Sequence, residues 1–441
     1  MNRRRFLGTL AAPAFTGLAQ ARLPNLIVIM ADDLGYGDLG CYGQQRIRTP
    51  EIDQMAKEGL RFTSAYAGST VCAPSRCAWL TGLHTGHAQM RGNSATWLRP
   101  QDLTIQEMLR TAGYRNGVIG KWSMGPMGTT GFPLEKGVDE FFGYFSQRHA
   151  HTYYPHVLLH NRRHVELPRN WSLKPDEYAP DRFTGHAVQF IRETRGPYYL
   201  EVNFTTPHAN NEKGNAGMEV PSDEPYSRQP WPQNERNFAA MITRMDKDVG
   251  SILDAVRRSG RETFVLFTSD NGPHREGGHD PDFFDSNGIY RGIKRDLYEG
   301  GIRVPAIAWM PGRIAAGTVS DFPWAFWDLM PTFAEFAGQP APKGIDGRSI
   351  LPTLMGGKQE PAEFLYWEFH ERGTKQAVRH GEWKAVRLAP GAPLELYNLR
   401  IDPGENANVA ARNPDVVKRI ENYLRTARTE HPDYPIRPAP A

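Results

Sequence analysis

Two pairs of adjacent oxygen-bearing side chains, Asp32-Asp33 and Asp270-Asn271, each follow a short apolar run: Asn25-Leu26-Ile27-Val28-Ile29-Met30 in one case and Thr263-Phe264-Val265-Leu266-Phe267 in the other. Such runs read as buried parallel strands, so both pairs are delivered at strand ends. Three carboxylates and the amide oxygen of Asn271 make a hard, all-oxygen donor set, suited to calcium, or less readily magnesium, rather than zinc. Taken singly, Asp-Asp after a strand also fits a helix cap, and Ser269-Asp270-Asn271-Gly272 an ordinary β-turn. The cysteines add a second kind of chemistry. Cys41, Cys72 and Cys77 are odd in number and make no disulfide framework. In Val71-Cys72-Ala73-Pro74-Ser75-Arg76-Cys77, Pro74 and Ser75 are expected to open a helix carrying Trp79 and Leu80. That sets position 72 beside a helix N-terminus, which favours anions. Cys77 falls inside the helix and is expected to pack; packing is also the ordinary fate of a free cysteine such as Cys72.

The elements that must position these groups alternate. Thr49 and Pro50 open one helix; Thr104 and Glu107 form a capping box before Met108 and Leu109, and Gly113 closes that helix. Val118-Ile119 leads to Lys121, and Tyr198 to Phe204 leads to Thr206-Pro207-His208, two more strands ending in polar residues. The longest helix is expected from about Glu235 to Ser259, where Phe238, Met241, Ile242, Met245, Val249, Ile252, Leu253 and Val256 form a core-facing stripe that stops at Gly260. This alternation predicts an α/β fold with a largely parallel sheet, which places ligands at the carboxyl ends of its strands. After about Asp346 the pattern changes to short β-like pieces, Glu363 to Phe369, Gln376 to His380, Trp383 to Leu388 and Leu394 to Leu399, then a helix from about Pro414 to Thr429. The expected organisation is a catalytic domain over 22–345 and a smaller C-terminal α+β domain over 346–441.

The 441 residues carry 52 Lys and Arg against 49 Asp and Glu, and no block of like charge marks a nucleic-acid footprint. Arg3-Arg4-Arg5-Phe6-Leu7, a small and apolar run to Leu18, and Ala19-Gln20-Ala21 have the order of a removable leader over 1–21. The arginine pair fits twin-arginine export of an already folded protein, so a periplasmic or secreted location is expected. No segment is long and apolar enough for a membrane span.

Cys72-Ala73-Pro74-Ser75-Arg76 matches the C-x-P-S-R signature of the sulfatase family. Asp32-Asp33-Leu34-Gly35-Tyr36-Gly37-Asp38 resembles that family's N-terminal metal motif, Gly120-Lys121-Trp122 its second signature, and Ser269-Asp270-Asn271-Gly272 its later metal pair; Lys294, ahead of Tyr298-Glu299-Gly300-Gly301-Ile302-Arg303-Val304-Pro305, also matches. The resemblance runs from about residue 24 to 425 in the family's own order. It implies an alkaline-phosphatase-like fold and hydrolysis of sulfate monoesters. It further implies calcium or magnesium held by Asp32, Asp33, position 72, Asp270 and Asn271, and conversion of Cys72 to formylglycine by a formylglycine-generating enzyme. An aldehyde there hydrates to a geminal diol, and a cation beside it lowers the pKa of one hydroxyl. By the same resemblance Arg76 steadies that group, Lys121 and Lys294 bind sulfate oxygens, and His208 protonates the leaving alcohol.

The sequence departs from the family at Ser123. The usual G-K-W-H reads Gly120-Lys121-Trp122-Ser123, and a serine hydroxyl cannot unaided do the proton removal assigned to that histidine. His149, His151 or a metal-adjacent water is the expected replacement. Gln147-Arg148-His149-Ala150-His151-Thr152-Tyr153-Tyr154-Pro155 and the loop around His274 and Glu276 are rich in hydrogen-bonding and aromatic groups that suit a sugar ring. His149, His151, His274 and Arg291 are therefore the candidate substrate contacts. The expected substrate is a sulfated glycan or another small sulfate ester, with an exo-acting enzyme on galactose or N-acetylgalactosamine sulfate as the narrower reading. A phosphate or phosphonate monoester hydrolase, and a silent calcium-dependent glycan-binding protein, stay open as alternatives.

Overall fold

The computed structural model describes residues 23–94 and 96–438; the leader expected over 1–21 lies outside the described residues. The strand Asn25–Asp32 is at the middle of the main sheet. It pairs in parallel with Tyr198–Pro207 on one side and Thr263–Ser269 on the other. Arg115–Gly120 extends the parallel set beside Tyr198–Pro207, and Glu140–Gly143 extends it again. Ala306–Trp309 runs antiparallel beside Thr263–Ser269, so the sheet is largely rather than wholly parallel.

The central strand shows why an unbroken apolar run was needed. Ile27, Ile29 and Ala31 pack into the core on one face, against the helices Ala179–Glu193 and Gln233–Ser259. Leu26, Val28 and Met30 pack on the other, against Cys72–Thr81, Ile105–Thr111 and Leu329–Phe336. Each of the larger of these side chains contributes about 1.5–3 kcal/mol by burial, and neither face is exposed to solvent. The long helix begins two residues earlier than its stripe predicts, and Gly260 ends it in the left-handed conformation at φ 62°. The Thr104–Glu107 capping box is formed.

One boundary corrects the sequence reading. The helix expected to open at Pro74 and Ser75 starts at Cys72, with Val71 as its N-cap. Proline is tolerated there because a first-turn N–H has no partner inside the helix. Ala73 N donates instead to Asn93 Oδ1 at 3.1 Å. Position 72 is thus the first residue of the helix rather than a neighbour of it.

Beyond residue 346, Leu365–Phe369, Lys375–His380, Trp383–Arg387 and Glu395–Asn398 form an antiparallel sheet, followed by the helix Pro414–Leu424. One face of this sheet, with Trp367, Val386 and Tyr397, packs on Tyr66, Val71 and Trp327. Among the described residues no helix is long and apolar enough to cross a membrane.

Candidate active site

The parallel strands end at one level. Ala31 is in register with Ser269 and Asp32 with Pro207, while Gly120 is in register with Asn203. The next residues along the chain, Asp33, Asp270, His208 and Lys121, therefore converge. The fit is close: a Cβ on Gly120 would lie 2.1 Å from Asn203 O. Asp33 takes φ 64° and Ser123 φ 74°, conformations that cost L-residues energy and gather where function demands a particular side-chain aim.

Each of the three carboxylates at the strand ends has its own buried cation. Lys121 Nζ donates to Asp32 Oδ2 at 2.6 Å, Lys294 Nζ to Asp33 Oδ2 at 2.7 Å, and Arg76 Nε and Nη2 to Asp270 Oδ2 at 3.0 and 2.9 Å. Ser75 Oγ, one turn into the helix, donates to Asp270 O at 2.5 Å. The Cys72 thiol donates to Asp32 Oδ1 at 3.2 Å. Burial and the adjacent Asp32 charge push the Cys72 thiol well up, so a thiolate nucleophile is suppressed here. Burial raises Asp32, but the charges of Lys121 and Arg76 outweigh it and hold the carboxyl well below the usual range. Burial and the Asp32 charge push Asp270 up to about 7 despite Arg76.

These residues fit a divalent cation. Asn271 Nδ2 donates to Asp33 Oδ1 at 2.7 Å, whereas Asn271 Oδ1 is buried with no partner, an acceptor that costs free energy unless something positive meets it. Asp32, Asp33, Cys72 and His208 each bring a donor atom within 4.8 Å of the others. The repulsion that raises Asp270 is what such a cation relieves.

His208 Nδ1 donates to Ala209 O at 2.6 Å, which leaves Nε2 to accept from Lys294 Nζ at 3.2 Å. Asp33 Oδ2 is 3.5 Å from the same nitrogen. Burial and the Lys294 charge push His208 down to about 3, so the resting ring is neutral with Nε2 as its acceptor.

The candidate substrate contacts divide. The His151 ring stacks on His208 at 4.7 Å, its Nδ1 is buried without a partner, and it lines a cleft of about 290 Å³ together with Ala73 and Ser123. His149 is not free in this way. Its Nδ1 accepts from Phe145 N at 3.2 Å and its ring packs on Tyr144 and Phe145. His274 corrects the sequence reading more fully: its Nε2 donates to Pro207 O at 3.1 Å and its Nδ1 accepts from Glu276 N at 3.0 Å. With both nitrogens spent on backbone and the ring buried, it braces the loop rather than facing a ligand. Arg291 is likewise engaged elsewhere, lying over the Tyr298 ring at 3.9 Å and donating to Tyr397 Oη and Glu405 O.

Two contributors went unassigned in the sequence. Glu276 Oε2 accepts from Lys294 Nζ at 3.2 Å, and its other oxygen from Arg295 at 2.6 Å. Gln147 Oε1 accepts from the Ser123 hydroxyl. Their residue types were visible; nothing in the local pattern linked Glu276 to Lys294 or Gln147 to Ser123.

Residues 24–339 match the family model described as sulfatase, and residues 288–430 match the one described as N-sulphoglucosamine sulphohydrolase, C-terminal. Human arylsulfatase A is 32% identical over 92% of this chain and 88% of that relative. The N-acetylgalactosamine-6-sulfatase of Canis lupus familiaris is 31% identical over 92% of this chain and 80% of that relative. Among solved structures, Ps i-CgsB in complex with k-i-k-neocarrahexaose superposes with a TM-score of 0.80 at 25% identity, covering 92% of this chain and 93% of that one.

Proposed function

The chain belongs to the sulfatase family of sulfuric ester hydrolases, and we propose that its substrate is a sulfated carbohydrate, cleaved in exo fashion, with galactose and N-acetylgalactosamine sulfates foremost. One observation carries the chemical part. The side chain at position 72 is the first of its helix and is buried with its donor atom within 4.8 Å of those of Asp32, Asp33 and His208, so whatever group it carries lies against the oxygen donors that would hold a cation. Cys72 is accordingly the residue for conversion to formylglycine by a formylglycine-generating enzyme. Asp32, Asp33, Asp270 and Asn271, with position 72, are the residues that would hold the cation, calcium before magnesium. Such a cation supplies positive charge that favours an ionised oxygen at position 72 near neutral pH.

The chain's own groups do the rest. Lys121 and Lys294 bring two buried ammonium groups to the sulfate oxygens, fixing the ester and offsetting charge that grows in the transition state. Arg76 keeps Asp270 in place with a two-nitrogen clamp. His208 Nε2, neutral at rest, takes a proton from the Lys294 ammonium 3.2 Å away as it gives one to the leaving oxygen. Ser123 is tied to Gln147 and is not a base; His151, with a free buried nitrogen at the same cleft, serves in that role.

The carbohydrate reading is supported by the relatives, whose names include an N-acetylgalactosamine-6-sulfatase. Export to the periplasm or outside the cell by the twin-arginine route is proposed from the leader pattern. The test is sulfate release from a panel of monosulfated monosaccharides, with terminal and internal positions compared in oligosaccharides. Release from galacto-configured sugars at chain ends is expected. Release from other sugars with none from any galacto-configured member refutes the narrower reading.

A further inference from the structure

Resting on the sulfatase reading, we infer that the cleft beside position 72 takes an uncharged ring as the alcohol half of the ester, and rejects alcohols that carry a carboxylate or a second sulfate. The cleft is continuous with the site: Ala73 follows the nucleophile position, Ser123 follows the Lys121 loop, and His151 stacks on His208. Its volume of about 290 Å³ stands at the low end for ligand sites, enough for one ring and not for an oligosaccharide. Trp97, Trp122, Tyr144 and Phe145 supply flat apolar wall, and Gln147 supplies hydrogen bonds.

The charge on that wall decides the ligand class. Among the described residues lining the cleft, Arg148 alone carries a permanent positive charge. Its guanidinium is already matched by Glu212, with Nε to Oε1 at 2.9 Å and Nη2 to Oε2 at 2.7 Å, and it points outward with 80% of its side chain exposed. The buried cations at the site, Lys121, Lys294 and Arg76, are committed to Asp32, Asp33 and Asp270 on the sulfate side. A second anion on the alcohol would therefore leave water for an apolar wall with no countercharge, which is costly. A neutral ring gains aromatic contact instead.

The experiment compares two esters that differ only in that charge: the sulfate ester of 3-(4-hydroxyphenyl)propanoate and that of the corresponding propanamide, in which the saturated spacer keeps the phenols alike. Enzyme with an aldehyde verified at position 72 by mass should show kcat/KM at least about twentyfold higher for the amide. The non-cleaving Cys72→Ala variant should bind the amide ester more tightly by calorimetry, in the same direction. Ser146→Lys, a change at an exposed position on the cleft, should narrow the gap by improving the carboxylate ester. Equal or better use of the carboxylate ester by the unaltered enzyme overturns the inference and leaves the sulfatase reading standing. No sulfate release from either ester by enzyme that does release sulfate from the sugar panel overturns the inference alone; no release from esters or sugars, with the aldehyde verified, overturns the sulfatase reading as well.

Discussion

The ammonium of Lys121 donates to the Asp32 carboxylate across 2.6 Å, with both side chains buried. Removing one partner leaves the other charged, buried and uncompensated, which costs about 3–5 kcal/mol. Lys121→Met should lower the midpoint of urea unfolding accordingly, and the loss should be larger after chelation, because a bound cation also neutralises Asp32. The same substitution should cut kcat by about a hundredfold to a thousandfold, the scale for losing one oriented donor to developing charge.

The state of position 72 is readable by mass. In protein from a host that carries the modifying enzyme, the peptide spanning Val71 to Arg76 should be lighter than its cysteine form by about 18 Da, the change from CH2–SH to CHO. Full activity in protein whose position 72 is an intact thiol is the outcome that defeats the mechanism.

Metal removal should separate the orphan acceptor from its surroundings. Chelation followed by dialysis should abolish sulfate release, and calcium should restore it better than zinc. At about a hundred times its Kd, calcium should raise stability by about 2.7 kcal/mol. Asn271→Ala should weaken calcium binding by titration calorimetry, since it deletes the buried Oδ1 that has no protein partner. Undiminished calcium affinity in that variant counts against Asn271 as a ligand.

The two histidines near Ser123 make opposite predictions. His151→Ala should lower kcat by about a hundredfold, the scale of a general base, with little change in KM. His149→Ala, whose ring nitrogen is occupied by Phe145 N, should alter kcat by no more than about threefold. A reversed order assigns the proton transfer elsewhere.

Acid stability should report a network remote from the site. Glu368 accepts from Arg91 at 2.9 Å, Arg428 at 2.9 Å and His370 at 2.9 Å. Burial raises its carboxyl, but the His370 hydrogen bond and the Arg91 charge outweigh it, bringing it down to about 2 from 4.5. A folded-state pKa below the unfolded one stabilises above the unfolded value, and that stability is lost as pH falls from about 4.5 to about 2. The contribution at neutral pH is about 3 kcal/mol. Glu368→Gln should therefore flatten the acid limb of stability against pH over this window; an unchanged slope refutes the assignment.

The contrast between His151 and His274 shows what was legible in advance. Both stand in loops rich in hydrogen-bonding groups, and sequence offers no way to tell a ring nitrogen spent on backbone from one left free. The engagement of Arg291 is hidden for the same reason: its partners Tyr397 and Glu405 lie more than a hundred positions away. The helix start at Cys72 rather than Pro74 was missed because the cap at Ala73 N comes from Asn93, outside the local pattern.

What the sequence determined alone was the set of reactive groups and their delivery at strand ends. Apolar runs that end in Asp32-Asp33, Lys121, His208 and Asp270-Asn271 encode strand, terminus and donor type within contiguous residues, where periodicity and short-range chemistry act. What tertiary structure decided was pairing and vacancy: which ammonium meets which carboxylate, that Glu276 shares Lys294, and that Asn271 Oδ1 and His151 Nδ1 are left without partners. Those outcomes depend on strand register and on loop paths joining residues up to 261 positions apart, which no local pattern carries.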